Sequence, residues 1–286
     1  MMPLIINFVP TGMVPTKEMT PHVPISTTEI VEDVLRAADL GASIAHLHAR
    51  LSDGKPTYKK DVFAEIISGV RAHNGDLILC VSTSGRIDGE FEKRSQVLEL
   101  DGDCQPEMAS LTLGSLNFAR NASSNPPDMI RGLLQKMNER GIVPELEAFD
   151  LGMINFAHYL IKKELLRPPF YFNLLFGNLF SAQPNLPSVG SMIHALPEEA
   201  TWALAGLGNC QLAINTTAIA HGGHVRVGLE DNIYFDEQRK TLSTNEMQLR
   251  RVLDIASAFG RSIATPSEAR EIIGLSKTST RVDSHP

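Results

Sequence analysis

Cysteine is scarce in this chain of 286 residues. The three cysteines, Cys80, Cys104 and Cys210, are far apart in sequence and form no CxxC pair. Their spacing argues against both a disulfide framework and a zinc ribbon. Cys80 and Cys210 lie among apolar or small residues, where a thiol is usually an inert part of the core. We therefore expect a reducing, cytoplasmic location.

Long apolar runs, basic runs and phosphate-binding loops are missing as well. No apolar run approaches the ~20 residues of a membrane span, and the opening MMPLIINFVPTG lacks the basic leader and long apolar core of a signal peptide. The formal net charge is −7, with no cluster of Lys or Arg that would bind nucleic acid. No GxGxxG or GxxxxGKS/T motif follows a predicted strand, which disfavours a dinucleotide or P-loop site. We expect small molecules as partners, and neither nucleic acid nor a membrane.

What the chain does contain is an alternation of short apolar segments and helical patterns. Each apolar segment is bounded by turn residues, as β-strands are. The predicted strands cover 4–10, 43–50, 77–83, 107–114, 142–149, 170–177, 201–208 and 224–230. Apolar residues at helical spacing predict helices that cover 26–41, 60–73, 126–140, 151–166, 209–221 and 245–259. The segment 184–199 is compatible with a helix framed by prolines and need not be a domain boundary.

Eight strands that alternate with helices over roughly the ~250 residues typical of the fold predict a (β/α)8 TIM barrel rather than an open, doubly wound α/β sheet. We expect the barrel to fill residues 1–275 as one domain, because no segment resembles a linker. The polar residues 276–286 are expected to form a loose tail.

Two histidines of the second strand, IAHLHAR, suggest a metal site. Side chains two residues apart on a strand point to the same face, so His46 and His48 can reach one ion. They fall near the carboxyl end of the strand, where such barrels hold their active sites. Glu230 is the best third ligand, because strands 2 and 8 both neighbour strand 1, and this set leaves a zinc position open for substrate or water. The alternative is that one histidine belongs to the core or supports a ligand.

Other strand ends supply further candidate residues. They are Ser82, Thr83, Ser110, Thr112, Glu147, Arg226 and Asp231. A structural salt bridge is the alternative for Arg226 with Asp231, and a turn or cap is the alternative for Ser82. His221 and His224 are a competing histidine pair, but the Gly-Gly between them predicts a turn at the opposite face of the barrel.

Motifs spread over nearly the whole chain carry a family resemblance. They are TGMVPTKEMTPHVPIS (11–26), GASIAHLHAR (41–50), DGKPTY (53–58), STSGRIDGEFEKR (82–94), PEMASLTLGSLNF (106–118), PELEAFDLGM (144–153) and GGHVRVGLEDNI (222–233). In this order they resemble the β-keto acid cleavage enzymes, the family of the 3-keto-5-aminohexanoate cleavage enzyme. The resemblance implies a zinc-bearing barrel that condenses a β-keto acid with acetyl-CoA and releases acetoacetate and a new acyl-CoA. It also implies a homo-oligomer, a dimer or a tetramer.

The resemblance assigns roles at matching positions. Zinc would be bound by His46, His48 and Glu230. Arg226 and Asp231 would form an activating dyad in which the carboxylate is the base, and the nearby guanidinium would favour its ionised form. Substrate would contact Ser82, Gly85 and Ser110, and we also count Ser82 among the catalytic candidates.

Departures from the family pattern concern the substrate. Val14 stands where the aminohexanoate enzyme has an acidic residue for the substrate's amino group, and a valine cannot pair with an ammonium. We therefore expect a substrate without an amino group, with an apolar or otherwise uncharged tail. Arg86 opposes that expectation, because it could bind a second carboxylate; a surface position or a contact with a CoA phosphate is the alternative. Ser110 and Thr112 replace a Thr and an Asn, and Thr112 loses the amide.

Three other functions fit the same residues. A metal-dependent aldolase or lyase would use a zinc-stabilised enolate without CoA. A metal hydrolase would need a base that activates water, for which Asp231 or Glu147 could serve. A non-catalytic barrel would keep its function after His46→Ala, whereas the enzymes would not.

Overall fold

Eight parallel strands close into a barrel in the computed structural model, which describes residues 1–275. We number the barrel strands in chain order: β1 Ile6–Phe8, β2 Ile44–Leu47, β3 Ile78–Val81, β4 Met108–Thr112, β5 Val143–Ala148, β6 Tyr171–Phe176, β7 Thr201–Gly206 and β8 His224–Val227. Each strand pairs with its neighbours in sequence, and β8 pairs with β1 to close the ring. The TIM barrel is confirmed, with a strand in each predicted segment. The predicted tail, 276–286, lies outside the described residues.

Helices on the outside of the barrel connect most of these strands. They are α1 Thr27–Asp39, α2 Lys60–Arg71, α3 Pro127–Arg140, α4 Leu151–Lys162, α5 Leu186–His194, α6 Gln211–Ala220, α7 Asn245–Ala258 and α8 Pro266–Ile273, with a single turn, Phe91–Arg94, between β3 and β4. The six predicted helices are confirmed, and the segment 184–199, which is compatible with a helix, contains α5. Helix α8 and the single turn were not predicted. Within residues 1–275, no helix has both the length and the apolar character required to cross a membrane.

Helix α1 shows how local sequence positions these elements. The Ser26 hydroxyl accepts a hydrogen bond from the Glu29 amide, and the Glu29 carboxylate accepts one from the Ser26 amide, which forms a capping box. The helix then buries Ile30 and Val34 against the strands. This anchoring fixes the end of the loop from β1 to α1, which borders the site described below.

The barrel interior changes from apolar to polar along the strands. Side chains that face inward alternate with those that pack under the helices, so each strand contributes every second residue. Near the amino ends these residues include Ile44, Ile78 and Met108, which form a buried cluster. Two positions further along they are His46, Cys80 and Ser110. Polar groups therefore gather towards the carboxyl ends.

The amino end of the barrel is closed by α8. Ala269 and Ile273 of this helix belong to the same buried cluster as Ile5 and Ile44. A capping box between Thr265 and Glu268 starts the helix. Apolar side chains fill this end, and the cavity described below opens at the carboxyl end.

Candidate active site

His46 and His48 converge at the carboxyl end of β2. Their Nε2 atoms are 3.3 Å apart, and both side chains are buried. The His46 Nδ1 atom lies 2.6 Å from Glu145 Oε2 of β5, and the other Glu145 oxygen accepts a 2.6 Å hydrogen bond from the Asn7 amide. Burial opposes ionisation of Glu145, but the His46 ring and its hydrogen bond hold the pKa of this carboxyl at about 2. The carboxylate therefore accepts a hydrogen bond from the Nδ1–H group of His46, and Nε2 is the ring nitrogen that faces His48.

Glu230 reaches the same point from a tight turn after β8. Its Oε1 atom is 3.3 Å from His48 Nε2. The turn is possible because Gly228 has no side chain: a Cβ atom there would lie 2.0 Å from the Val9 carbonyl oxygen. Gly12, with a φ of +63°, packs against the Glu230 side chain from the other side. Two glycines thus let the backbone approach closely enough to aim Glu230 at the histidines.

The chemistry of this group fits a divalent ion. The donor atoms of His46, His48 and Glu230 all lie within 4.8 Å of one another. Tetrahedral zinc with Zn–N distances of ~2.0–2.1 Å separates its ligand atoms by ~3.3–3.4 Å, which matches the two 3.3 Å separations. The Oε2 atom of Glu230 is buried and has no hydrogen-bond partner within residues 1–275. A cation would satisfy that atom and offset the negative charge of the site.

Arg226 of β8 organises the carboxylates beside this group. It donates to Asp231 from Nε (3.1 Å) and Nη2 (3.3 Å), to Glu230 from Nη2 (2.6 Å), and to Glu147 from Nη1 (3.2 Å). The side chains of Arg226 and Asp231 are each only 2% exposed. Although burial disfavours the charged form, Asp231 and the other carboxylates raise the pKa of Arg226, which stays protonated. The pair is thus a two-point contact inside the site and not a surface salt bridge.

Asp231 is a stronger base than an ordinary aspartate. Burial raises its pKa to about 6, Arg226 opposes this rise, and Glu230 adds to it. The sequence led us to expect that Arg226 would favour the ionised form of Asp231, and Arg226 does lower the pKa of this carboxyl. The loss of hydration raises the pKa by more than the pairing lowers it, because the carboxylate is deeply buried.

A cavity of about 500 Å³ opens above these groups. Its walls contain His48, Glu230, Arg226 and Asp231, together with six other residues relevant here: Val14, Ser82, Arg86, Thr112, Phe118 and Glu147. Val14 is 47% exposed and lies on the wall, as expected for a residue that meets a substrate tail. A cavity of this size and polarity suits a small, charged molecule.

Two predicted substrate-binding residues lie behind the cavity wall. Ser110 is buried, and its hydroxyl accepts a hydrogen bond from the Thr83 amide (3.2 Å). Gly85 is buried where a Cβ atom would lie 2.5 Å from Arg94 Nη1. Thr112 donates to Glu147 Oε2 (2.7 Å). The structure therefore gives Ser110 and Gly85 supporting positions at the site.

The competing histidine pair does not converge. His224 is the first residue of β8, at the amino end, and its Nδ1 accepts a hydrogen bond from the Ile5 amide (3.0 Å). His221 caps the end of α6. The Gly-Gly turn at the opposite face of the barrel is found as predicted from the sequence.

Sequence reasoning missed Glu145 and Asn7, which support His46. A signal was present: Glu145 and Glu147 stand two residues apart in an otherwise apolar strand, and both must therefore face the barrel interior. Two carboxylates inside a barrel need cationic or hydrogen-bonding partners. Their partners, His46 and Arg226, come from distant strands and become apparent only in the closed barrel.

Comparison with known proteins places this geometry in a family. The model of the beta-keto acid cleavage enzyme family matches residues 3–275. A 3-keto-5-aminohexanoate cleavage enzyme of Fusobacterium nucleatum is 38% identical over 275 residues, which cover 96% of this chain and 98% of that protein. A 3-oxoadipate:acetyl-CoA acetyltransferase of Cupriavidus necator is 36% identical over 276 residues, with 96% of this chain and 95% of that protein covered.

Among solved structures, the apo structure of ObcA superimposes with a TM-score of 0.77. The match has 22% sequence identity and covers 89% of this chain and 66% of that one. At this identity the likeness supports the barrel fold alone. The assignment to a family therefore rests on the matching family model and on the relatives above 30% identity.

Proposed function

The chain belongs to the beta-keto acid cleavage enzyme family, and from that premise we propose that it is an acyltransferase that acts on a β-keto acid and acetyl-CoA. Its products would be acetoacetate and a new acyl-CoA. The observation that carries this proposal is the convergence of His46, His48 and Glu230 beside the paired Arg226 and Asp231 at one cavity.

The proposed reaction exchanges two acyl groups. A proton leaves C2 of the β-keto acid, and C2 bonds to the carbonyl carbon of acetyl-CoA as the CoA thiolate departs. The thiolate then attacks the original keto carbon, the bond between that carbon and C2 breaks, and C2 regains a proton. Acetoacetate and the new thioester are formed without oxidation, reduction or added water.

Asp231 is the proposed base for the first proton transfer. It lies at the cavity, and Arg226 holds it through two hydrogen bonds, which fixes the direction of its free lone pairs. Glu147 accepts a hydrogen bond from Arg226 across the barrel mouth, and Thr112 donates to the other oxygen of Glu147 and so holds this carboxylate in place. The same Asp231 would return the proton to C2 at the end of the sequence.

We propose zinc as the resident ion. His46, His48 and Glu230 would hold it, and it supplies a Lewis acid that polarises the keto oxygen of the substrate when bound. Glu145 would keep the donor atom of His46 turned towards the ion through the 2.6 Å contact at Nδ1. Metal analysis of purified wild type should give one zinc per chain, and His46→Ala should lose it.

The experiment that tests the function incubates metal-loaded protein with acetyl-CoA and a panel of β-keto acids, read by mass spectrometry. New acyl-CoA and acetoacetate should form in equal amounts. Asp231→Asn should retain zinc and lose turnover by ~10²- to 10⁴-fold, whereas Asp76→Asn, a change of an exposed carboxylate, should be unaffected. Cleavage without CoA would instead indicate a lyase, and would contradict the proposal.

We also propose a homo-oligomer, a dimer or a tetramer. Large apolar side chains are exposed after β6 and at the start of α5: Leu179 at 70%, Phe180 at 59% and Leu186 at 74%. Exposed apolar groups that are clustered in sequence support association between copies. Light scattering during size-exclusion chromatography measures the assembly, and a monomer at all concentrations would contradict this part of the proposal.

A further inference from the structure

Arg86 carries a positive charge into the cavity without a carboxylate partner. Among residues 1–275, no protein group accepts a hydrogen bond from its guanidinium; its only hydrogen bond is from its backbone amide to the Ser84 hydroxyl. The other buried arginines are satisfied by protein: Arg50 and Arg94 donate to carbonyl oxygens, and Arg226 donates to carboxylates. A partly buried guanidinium left with open donors is a ready anion site.

Aromatic packing holds Arg86 in place. Its guanidinium carbon lies 3.5 Å from the centre of the Phe118 ring. Phe118 is itself braced by Phe149, edge to face, with ring centres 5.8 Å apart. A cation over an aromatic ring keeps its in-plane N–H groups free for a ligand. The arrangement therefore preorganises the planar N–H groups of the Arg86 guanidinium, which can bind a carboxylate through two hydrogen bonds.

The position of Arg86 ties it to the substrate. It lines the same cavity as Asp231, Glu230 and Glu147. Glu147 is engaged by Arg226 and Thr112, and Glu230 is engaged by Arg226 and His48 through Oε1, which leaves only Oε2 of Glu230, the atom assigned above to the metal ion. The phosphates of CoA are separated from the reacting thioester by the long pantetheine arm, whereas the tail of a short β-keto acid begins at the keto carbon.

We propose that the substrate of this enzyme is a β-keto dicarboxylic acid whose distal carboxylate binds Arg86. The inference rests on the proposed function and names the substrate class for the same site. Val14 fits it, because an apolar wall beside the tail excludes an amino group and leaves the methylene groups of the substrate in apolar contact. Val14 alone led us to expect a substrate with an uncharged tail. With Arg86 we instead propose a tail whose methylene groups lie beside Val14 and whose end is a carboxylate.

The test measures binding first, so that it does not depend on turnover. Calorimetry with zinc-loaded protein compares 3-oxohexanedioate with its 6-methyl ester, which keeps the C1 carboxylate and has an uncharged tail. The five- and seven-carbon diacids test the effect of tail length. Wild type should bind its best diacid about 10- to 100-fold more tightly than the matching ester. Arg86→Gln should remove that difference, and Arg86→Lys should keep part of it, because the charge remains while the planar fork is lost.

Arg239→Gln is the matched control, since Arg239 also lines the cavity but donates to Asn209. It should leave the preference for diacid over ester unchanged. Equal binding of every diacid and its ester by wild type, or an unchanged preference in Arg86→Gln, would overturn the inference.

Steady-state kinetics distinguishes whether the anion that Arg86 binds is the substrate carboxylate or a CoA phosphate. Arg86→Gln should lower kcat/KM for the diacid by about 10- to 100-fold and leave the KM for acetyl-CoA unchanged. A raised KM for acetyl-CoA that is absent with 3′-dephospho-acetyl-CoA would assign Arg86 to the CoA phosphate and overturn the inference. Failure of every keto acid to yield a thioester would refute the proposed function, while the binding ratio would still decide the role of Arg86.

Discussion

At the scale of single residues, the site depends on positions that carry no reactive group. Gly12 has a φ of +63°, and a Cβ atom there would lie 2.5 Å from Glu230 Cγ. Gly228 lets the turn before Glu230 pass against the Val9 carbonyl. The orientation of a candidate metal ligand is therefore set by two glycines as much as by the ligand itself.

Gly12→Ala should weaken metal binding. The added methyl must displace Glu230, so we expect the zinc affinity to fall ~10- to 100-fold in a chelator competition assay. Gly102→Ala is the matched control, because Gly102 also has a positive φ, +59°, but has open space around it. Both variants should lose about 1–2 kcal/mol of stability from backbone strain. Equal zinc affinities in the two variants would show that Gly12 does not position Glu230.

At the scale of elements, the loop from β1 to α1 is held over the site by one arginine. Arg50 is buried and donates to the carbonyl oxygens of Gly12 (2.9 and 2.6 Å), Pro15 (3.1 Å) and Gly54 (2.9 Å). The loop contains Val14, which lines the cavity. A single guanidinium thus connects the hairpin after β2, formed by Ala49–Arg50 and Pro56–Thr57, to the cavity wall that contains Val14.

Arg50→Met should release that loop while the barrel stays folded. The lost hydrogen bonds leave buried carbonyls without partners, at about 1–3 kcal/mol for each that water cannot reach. Hydrogen exchange across residues 11–20 should accelerate, and urea denaturation should report the lower stability. Arg36→Met should change neither, because Arg36 is exposed and its carboxylate neighbour Asp33 is 3.7 Å away. Unchanged exchange in Arg50→Met would refute the role of Arg50.

The sequence was most informative for the long periodic elements. The helix predicted at 26–41 is found as α1, which Ser26 caps, and short apolar runs located all eight strands. Helix α8 was missed because it spans only eight residues. Its buried residues pack against the end of the barrel, a contact that the local sequence does not reveal. The short strand Ala49–Arg50 was merged into predicted strand 2 (43–50), and its hairpin partner Pro56–Thr57 was not predicted, since a turn after a continuous apolar run leaves little local signal.

For the site, spacing on a strand could predict that His46 and His48 face one way, because that follows from local geometry. Spacing could not predict that Glu145 would contact His46 Nδ1, or that Glu147 would contact Arg226. These contacts join residues 99 and 79 positions apart. Cross-barrel pairing depends on strand register, for example Thr112 beside Glu147, and register is a property of the closed sheet.

At the scale of the whole molecule, a buried histidine links stability to pH. His224 is 2% exposed, and burial, with Arg261 nearby, lowers its pKa to about 3. The unfolded chain has a histidine pKa of ~6.5, so between these values the unfolded state binds a proton that the folded state does not. The contribution of His224 to the free energy of unfolding is therefore complete above pH 6.5 and is lost as the pH falls towards 3.

His224→Asn should flatten this dependence, because the asparagine oxygen can still accept the Ile5 amide but cannot titrate. Chemical denaturation between pH 6 and pH 4 should show wild type losing up to about 1.4 kcal/mol per pH unit more than the variant. Loss of packing in the variant lowers its stability by a constant amount and does not alter the slope. Parallel curves would mean that His224 is protonated in the folded protein.

An isotope-labelling experiment shows directly whether this barrel exchanges acyl groups between a β-keto acid and acetyl-CoA. It follows the two acetyl carbons of acetyl-CoA into the products. Zinc-loaded enzyme is incubated with a β-keto acid and acetyl-CoA carrying ¹³C at both acetyl carbons, and the products are separated by mass spectrometry. Acetoacetate should be labelled at C3 and C4, and the new acyl-CoA should carry no label in its acyl group. Labelled acetate with unlabelled acetoacetate, or product formation that does not require acetyl-CoA, would contradict this exchange of acyl groups.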